Sequence, residues 1–447
     1  MSNLIVEVCR VDKIENHPTA DKLKIATIKG WQTCVKYEPE TNVYQFNEGD
    51  LCIYFPPDAV LPKSLYEDRL NIGKYLKSMP KNSDGTPSDF KRVAATRLRG
   101  MPSFGVITNI DPSWGDDPNW TAGTNLIDYF GITKYEPPPE TTTGDADSPH
   151  IRFYAYTSIE HFANYPTSFE ENEEVVISEK IHGSNSRVGA VLDKDSSGSP
   201  EWIWMAGSHS VRRKEFLKVQ TRLKVSDLID RKFISELPSV DQIIFDNQAK
   251  KYWKVEEIIE PPPQSKEQEV KIQVSLVDEN GEYKLSRSLY WEPLTENMKS
   301  LIDDIKDNYV MGSEKPHSVI VFGEIYGRGT QDMEYGMTTV KGFRAFDICV
   351  NGKYLDFDAQ LGYFAKHGIE VAPILYRGPF TVQKLQKLTS GPTTMCSAEE
   401  AGAFKGREGV VMKPIKEKHY CMILNGRKIV KSVSADYLAR NNGTEYH

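Results

Sequence analysis

Three features of the sequence predict an α+β fold with mainly antiparallel sheet, divided into a small β domain and a larger mixed one. Short segments rich in Val, Ile, Tyr and Phe recur along the 447 residues with polar residues between them, as half-buried strands require. Helical stretches interrupt them only in the second part. Two acidic, apolar-poor proline runs punctuate the chain: Pro137–Pro139 in EPPPETTTGDADSPH and Pro261–Pro263 in IIEPPPQSKEQEVK. Such composition marks linkers or surface loops.

The segments LIVEVCRV, LKIATIKGWQTCVKY, NVYQF, DLCIYFP and FGVITNI make residues 1–135 a small antiparallel β domain, with 136–150 as linker. Over 151–447, the strands EEVVISEKI, SRVGAVL, EWIWMAG, HSVIVFGEIYG, FRAFDICV, EGVVMK and RKIVKSV alternate with helical stretches near 215–237, 292–308, 356–367 and 381–389. An insertion near 240–285 carries a hairpin of its own, IQVSLVDENGEYKL, turning at Glu279-Asn280-Gly281.

Six scattered cysteines without a CxxC pair suggest neither a zinc ribbon nor a disulfide scaffold, and read as reduced thiols. The first residues, MSNLIVEVCRVDKIENHP, lack a basic region followed by an apolar run, and no stretch reaches the roughly 18 apolar residues of a membrane helix. A soluble, intracellular protein is expected. Net charge is −8, which taken globally argues against a nucleic-acid binder. Locally the balance reverses. Residues 74–99 hold seven Lys/Arg against two acids, 205–225 six against one, and 405–431 eight against two. Such patches can neutralise phosphates.

The string SEKIHGSNSRVGAV at 178–191 carries the most chemistry. A lysine at a strand end before a glycine turn presents an amine at the mouth of a pocket. Lys180 could there attack the α-phosphorus of a nucleotide, provided its ordinary pKa of about 10.4 is lowered by burial or a nearby cation. Alone, K-x-x-G is better explained by a surface hairpin. Its companions follow in order: FGEIYG with Glu324, FRAFDI with Phe346 and Asp347, EGVVMKP with Glu408 and Lys413, and RKIVKSVS with Lys428 and Lys431.

Five such strings in this order resemble motifs I, III, IIIa, IV and V of the covalent nucleotidyltransferase superfamily of polynucleotide ligases and capping enzymes. The run K-I-H-G-S-N, with Asn185 five residues after Lys180, is similar to ATP-dependent RNA ligases of the RNA-ligase-2-like and editing type. VCRVDKIENHPTADKLKIATIKG and FNEGDLCIYFPPDAVLP resemble a tRNA-binding type of OB fold, with a turn at His17-Pro18 and a short ADKL helix. The chain ends 16 residues beyond Lys431, so an OB barrel in front rather than behind is expected. That order resembles the RNA ligases of the Deinococcus and Naegleria type: an OB-fold β-barrel followed by an antiparallel-sheet nucleotidyltransferase domain.

The resemblance implies roles for particular residues. Lys180 is the residue that becomes adenylated. Glu179 (by its backbone) and Ile181 border the adenine, Phe346 stacks on it, and Asn185 belongs to the nucleotide site. Glu324 binds ribose hydroxyls or metal-bound water, and Glu408 holds Mg²⁺ or Mn²⁺ through waters. His182, where many members have Asp, organises metal-bound water or touches phosphate. Lys413 and Lys431 face the triphosphate, Lys428 standing in for a second motif V lysine. For the motif Ia cation, His209, Arg212 and Arg213 are candidates and Arg212 is preferred. Arg92, Arg97 and Arg99 contact the nucleic-acid backbone.

The implied function is joining of 3′-OH and 5′-phosphate RNA ends by a monomer. ATP adenylates the lysine, AMP passes to the 5′-phosphate, and the 3′-OH expels it, most simply at a nicked duplex. Removing residues 1–135 is expected to spare self-adenylation. The alternatives are a DNA ligase or capping-type enzyme, and a non-catalytic RNA-binding protein on a degenerate core.

Overall fold

The computed structural model describes residues 3–38, 43–80, 86–111, 120–135, 144–194, 197–230, 234–246, 249–259, 270–309, 314–420 and 426–440. Both proline runs and Cys421 lie outside them.

Two sheets face each other across the centre of the larger part. One has five strands in the order Glu160–His161, Val430–Val433, Gly409–Pro414, Glu174–Lys180 and Ile374–Pro379, antiparallel except for the parallel edge pair Glu160–His161 with Val430–Val433. The other has six antiparallel strands, Arg212–Arg213, Pro200–Gly207, Ser184–Lys194, Ser318–Gly327, Lys341–Val350 and Lys353–Tyr354. Lys180 ends a strand of the first sheet, and four residues later the chain enters the second. The motif I turn is thus the hinge between the sheets.

The six-stranded sheet is continuously apolar over VIVFG, residues 319–323, because both its faces are covered. On one face lies the helix Glu296–Asn308, capped by Thr295, whose hydroxyl accepts the Met298 N–H. Its Met298, Leu301, Ile302 and Ile305 follow helical spacing and pack on Val188, Ala190, Val319 and Val321. Helix Phe357–Lys366 is pinned to the same sheet by Gln360, which accepts the Ile348 N–H at 3.1 Å.

The region 215–237 differs from the helix expected of it. It forms strands Phe216–Lys218 and Gln220–Lys224 and only a short helix, Val225–Asp230. Gln220–Lys224 joins Lys271–Val277, Lys251–Ile259 and Ile243–Asp246 in a separate four-stranded sheet with its own core of Val225, Leu228, Ile244, Val255, Ile272 and Val274. The hairpin at 278–281 turns where the sequence placed it, Asp278 N–H donating to Glu282 O.

The described residues up to 135 fold into short antiparallel sheets around a core that includes Val6, Val8, Ile53, Phe55 and Leu61. The expected ADKL helix is absent: residues 21–22 turn directly into strand Leu23–Ile28. This part shares a core with the second. Phe104 packs with Ile181, Tyr335 and Tyr437, the Trp31 and His161 rings lie 4.5 Å apart, and Arg97 pairs with Asp436 at 2.9 Å. Among the described residues no helix is long and apolar enough to cross a membrane, and Cys9, Cys34, Cys52, Cys349 and Cys396 are free thiols.

Candidate active site

Strand register sets the site. Lys180 lies opposite Gly409, so the start of motif IV meets the start of motif I, and Glu408 Oε1 stands 2.6 Å from Lys180 Nζ. Two glycines permit the approach. A Cβ on Gly409 would sit 2.2 Å from Ser432 O, and one on Gly183 would sit 2.2 Å from Ile325 O and 2.8 Å from Glu324 Cγ. Only glycine lets the motif I turn lie against the Glu324 strand. Asn185 then falls opposite Glu324 in register.

Between the sheets opens a cavity of about 350 Å³. Ile181, Ala345, Phe346, Phe364, Val371 and Ile429 give it apolar walls, while Lys180, Asn185, Glu324, Lys413 and Lys431 supply polar groups. Lys134, from the N-terminal part, lines it too. The Phe346 ring lies 5.0 Å from that of Tyr156 and forms part of the wall. Asn185 Oδ1 is buried without a hydrogen-bond partner, an arrangement that costs about 1–3 kcal/mol unless a ligand satisfies it. Burial pushes the Glu324 carboxyl up to about 8; the Lys180 ammonium opposes this, the Glu408 charge adds to it, and a bond from the Gly183 N–H opposes it.

Glu179 is a neighbour by backbone alone, since alternation turns its side chain to the opposite face. There its carboxylate accepts from Thr393 Oγ1 at 2.5 Å, Thr394 N at 2.8 Å and Thr394 Oγ1 at 2.6 Å.

Several residues stand elsewhere than expected. His182 is buried with both ring nitrogens engaged, Nε2 2.6 Å from Asp332 Oδ1 and Nδ1 2.9 Å from the Tyr437 hydroxyl, an arrangement that suits a structural link and not a metal ligand. Lys413 is bound at the cavity floor, 2.5 Å from Asp347 Oδ1 and 3.0 Å from Phe346 O. Lys428 points away and pairs with Glu173 at 2.7 Å. Arg212 is outside the cavity, held by Asp147 at 3.1 Å, whereas His209 lines it, neutral form favoured by burial. Arg92 is 6% exposed, 3.5 Å from Asp58 and stacked over Tyr135, so it is a packing residue; Arg97 and Arg99 are on the surface.

Sequence reasoning missed Lys134, because nothing local marks one lysine in GITKYEP, and it missed Arg427. Arg427 grips Asp347 through two nitrogens, at 2.8 and 3.0 Å, and with Lys413 holds that carboxyl well below the usual carboxylate range despite its burial. Pairs 66 and 80 residues apart leave no local signal.

No cluster of three His, Cys, Asp or Glu side chains suited to a metal is present among the described residues. Two carboxylates, Glu324 and Glu408, flank Lys180. That donor set fits Mg²⁺, which keeps several waters and takes one or two carboxylates plus substrate phosphates.

The pocket lies between antiparallel sheets, beside a strand-end lysine and behind an N-terminal β domain. A family model for RNA ligase matches residues 173–433, and one for an OB-fold domain matches 5–110. The chain belongs to the RNA ligase family. Among solved structures it is similar to Naegleria gruberi RNA ligase with PPi at a TM-score of 0.58 and 16% identity, covering 99% of this chain and 100% of that one. Point mutants of the Naegleria enzyme with ATP and Mn, and with AMP and Mn, match at a TM-score of 0.59 and 16% identity, each covering 98% of this chain and 100% and 99% of theirs. No curated protein sequence matches.

Proposed function

We propose that this RNA ligase is ATP-dependent and joins 3′-OH to 5′-phosphate RNA ends through a lysyl-AMP at Lys180. The observation that carries this reading is the placement of the Lys180 amine 2.6 Å from Glu408 at the edge of a cavity with an apolar wall for a purine and cations beyond it. Similarity to structures holding ATP, AMP and Mn supports it.

Lys180 Nζ attacks the α-phosphorus, a P–N bond forms, and the P–O bond to pyrophosphate breaks. Glu408 stands where it can take the proton the amine must lose. Ile181 and Phe346 enclose the base, and Asn185 Oδ1 accepts a donor from the nucleotide. Lys134 and Lys431 stabilise charge on the leaving phosphates, while Lys413 shapes the floor through Asp347. Glu324 and Glu408 would hold Mg²⁺ or Mn²⁺, which when bound neutralises phosphate charge and favours the unprotonated amine. AMP then passes to the 5′-phosphate end and is expelled by the 3′-OH. Nicked duplex RNA is the proposed substrate, with Arg97 and Arg99 on its backbone and residues 1–135 acting as one module with the core.

Incubation with labelled ATP and Mg²⁺ is expected to label the wild type and not Lys180→Ala. An unlabelled wild type would overturn the reading, and label from GTP alone would favour a capping-type enzyme. Sealing of nicked duplexes with RNA or DNA placed in turn on each side of the break tests the substrate.

A further inference from the structure

His182 stands at the motif I turn with each ring nitrogen committed. Asp332 can only accept, so the hydrogen lies on Nε2, 2.6 Å from Asp332 Oδ1. On the other side Nδ1 stands 2.9 Å from the Tyr437 hydroxyl. The backbone is fixed as well, the His182 N–H donating to the Tyr335 hydroxyl at 2.8 Å. Asp332 is itself steadied by Arg440, 3.3 Å from both its oxygens, and Arg440 lies over the Tyr437 ring at 4.0 Å. So held, the ring sets Nδ1 3.6 Å from Glu408 Oε2, while the other oxygen of the same carboxylate faces Lys180 at 2.6 Å.

We infer that Asp332 and Tyr437 are positioning residues for lysine adenylation, acting through His182 to hold the Glu408 carboxylate against the Lys180 amine. Neither touches the cavity, and they come from elements 105 residues apart in sequence that meet at this imidazole. A carboxylate turned out of its present plane would carry its oxygen off the Lys180 amine. The ring prevents this by packing against Oε2, and Asp332 and Tyr437 prevent the ring from turning. Partners that orient a metal-ligating histidine are typically worth about 10–100-fold when removed, and a loss of that order is expected for a ring that orients a carboxylate. The inference rests on the assignment of Lys180 as the adenylated residue.

The test uses the full-length chain with Asp332→Asn and Tyr437→Phe, which change one group each and leave the packing volume in place. Single-turnover lysyl-AMP formation is expected to fall about 10–100-fold in each, with KM for ATP within about twofold of wild type. Asp332→Glu, which keeps the carboxylate, is expected to recover more of the rate than Asp332→Asn. Wild-type rates in both variants, or a loss confined to KM, would overturn the inference. If the wild type forms no adenylate, the assignment of Lys180 fails. The inference then falls with it, whereas a labelled wild type with undiminished variants overturns the inference alone.

Discussion

Lys413 and Asp347 form an ion pair of 2.5 Å on the cavity floor, and Arg427 completes it from the other side, so one buried carboxylate answers two cations. Removing one member of such a cluster leaves charge uncompensated in a low dielectric, at a cost of about 3–5 kcal/mol. Asp347→Ala is therefore expected to lower stability by that amount in denaturant unfolding. Lys413→Met should cost less, because Arg427 still neutralises Asp347. Equal losses would show that the two cations are not redundant.

Glu324 gives a pH prediction. Its folded-state carboxyl is raised to about 8 from an ordinary value of 4.5. The folded protein therefore binds more protons than the unfolded chain between those values, and stability falls as pH rises through that window. The neutral amide of Glu324→Gln carries no such penalty. Metal-free Glu324→Gln should melt above wild type at pH 9 and match it near pH 4, while labelling by ATP is lost. Parallel melting curves at both pH values would contradict the assignment.

Asn185 tests the division between binding and folding. Its Oδ1 is buried and unpartnered in the ligand-free protein. Asn185→Ala should raise KM for ATP about tenfold and leave the melting temperature unchanged or higher, because an unsatisfied polar atom is removed. A lower melting temperature with normal KM would mean that the amide serves the fold.

These residues also mark what was legible in the sequence. Lys180, Asn185, Glu324, Phe346 and Lys431 reach one cavity because each is fixed by its own strand and by two-residue alternation, both readable locally. The helices near 292–308, 356–367 and 381–389 announced themselves by apolar spacing, and the structure has Glu296–Asn308, Phe357–Lys366 and Val382–Thr389. The segment at 215–237 did not. Its strands are made by pairing with Lys271–Val277 and Leu285–Arg287, and long-range pairing overrides local propensity. Arg92 looked available for phosphate because its partners Asp58 and Tyr135 lie 34 and 43 residues away. Arg212 was drawn off by Asp147 in the same way.

The interface between the two parts revises one expectation and supplies the last prediction. Residues 1–135 were expected to be dispensable for self-adenylation. Instead Phe104, 1% exposed, packs with Ile181 next to the nucleophile and with Tyr437, and Lys134 reaches the cavity wall. Truncation at residue 135 would uncover this apolar surface and remove the lysine, so self-adenylation is expected to fall with sealing. Point variants separate the two causes. Phe104→Ala should cost about 3–5 kcal/mol through the cavity it leaves. Lys134→Ala removes a partly exposed charge and should leave stability nearly unchanged while raising KM for ATP. Normal adenylation by the truncated chain would show that the core completes its site alone. Normal KM in Lys134→Ala would place that lysine outside the triphosphate's reach.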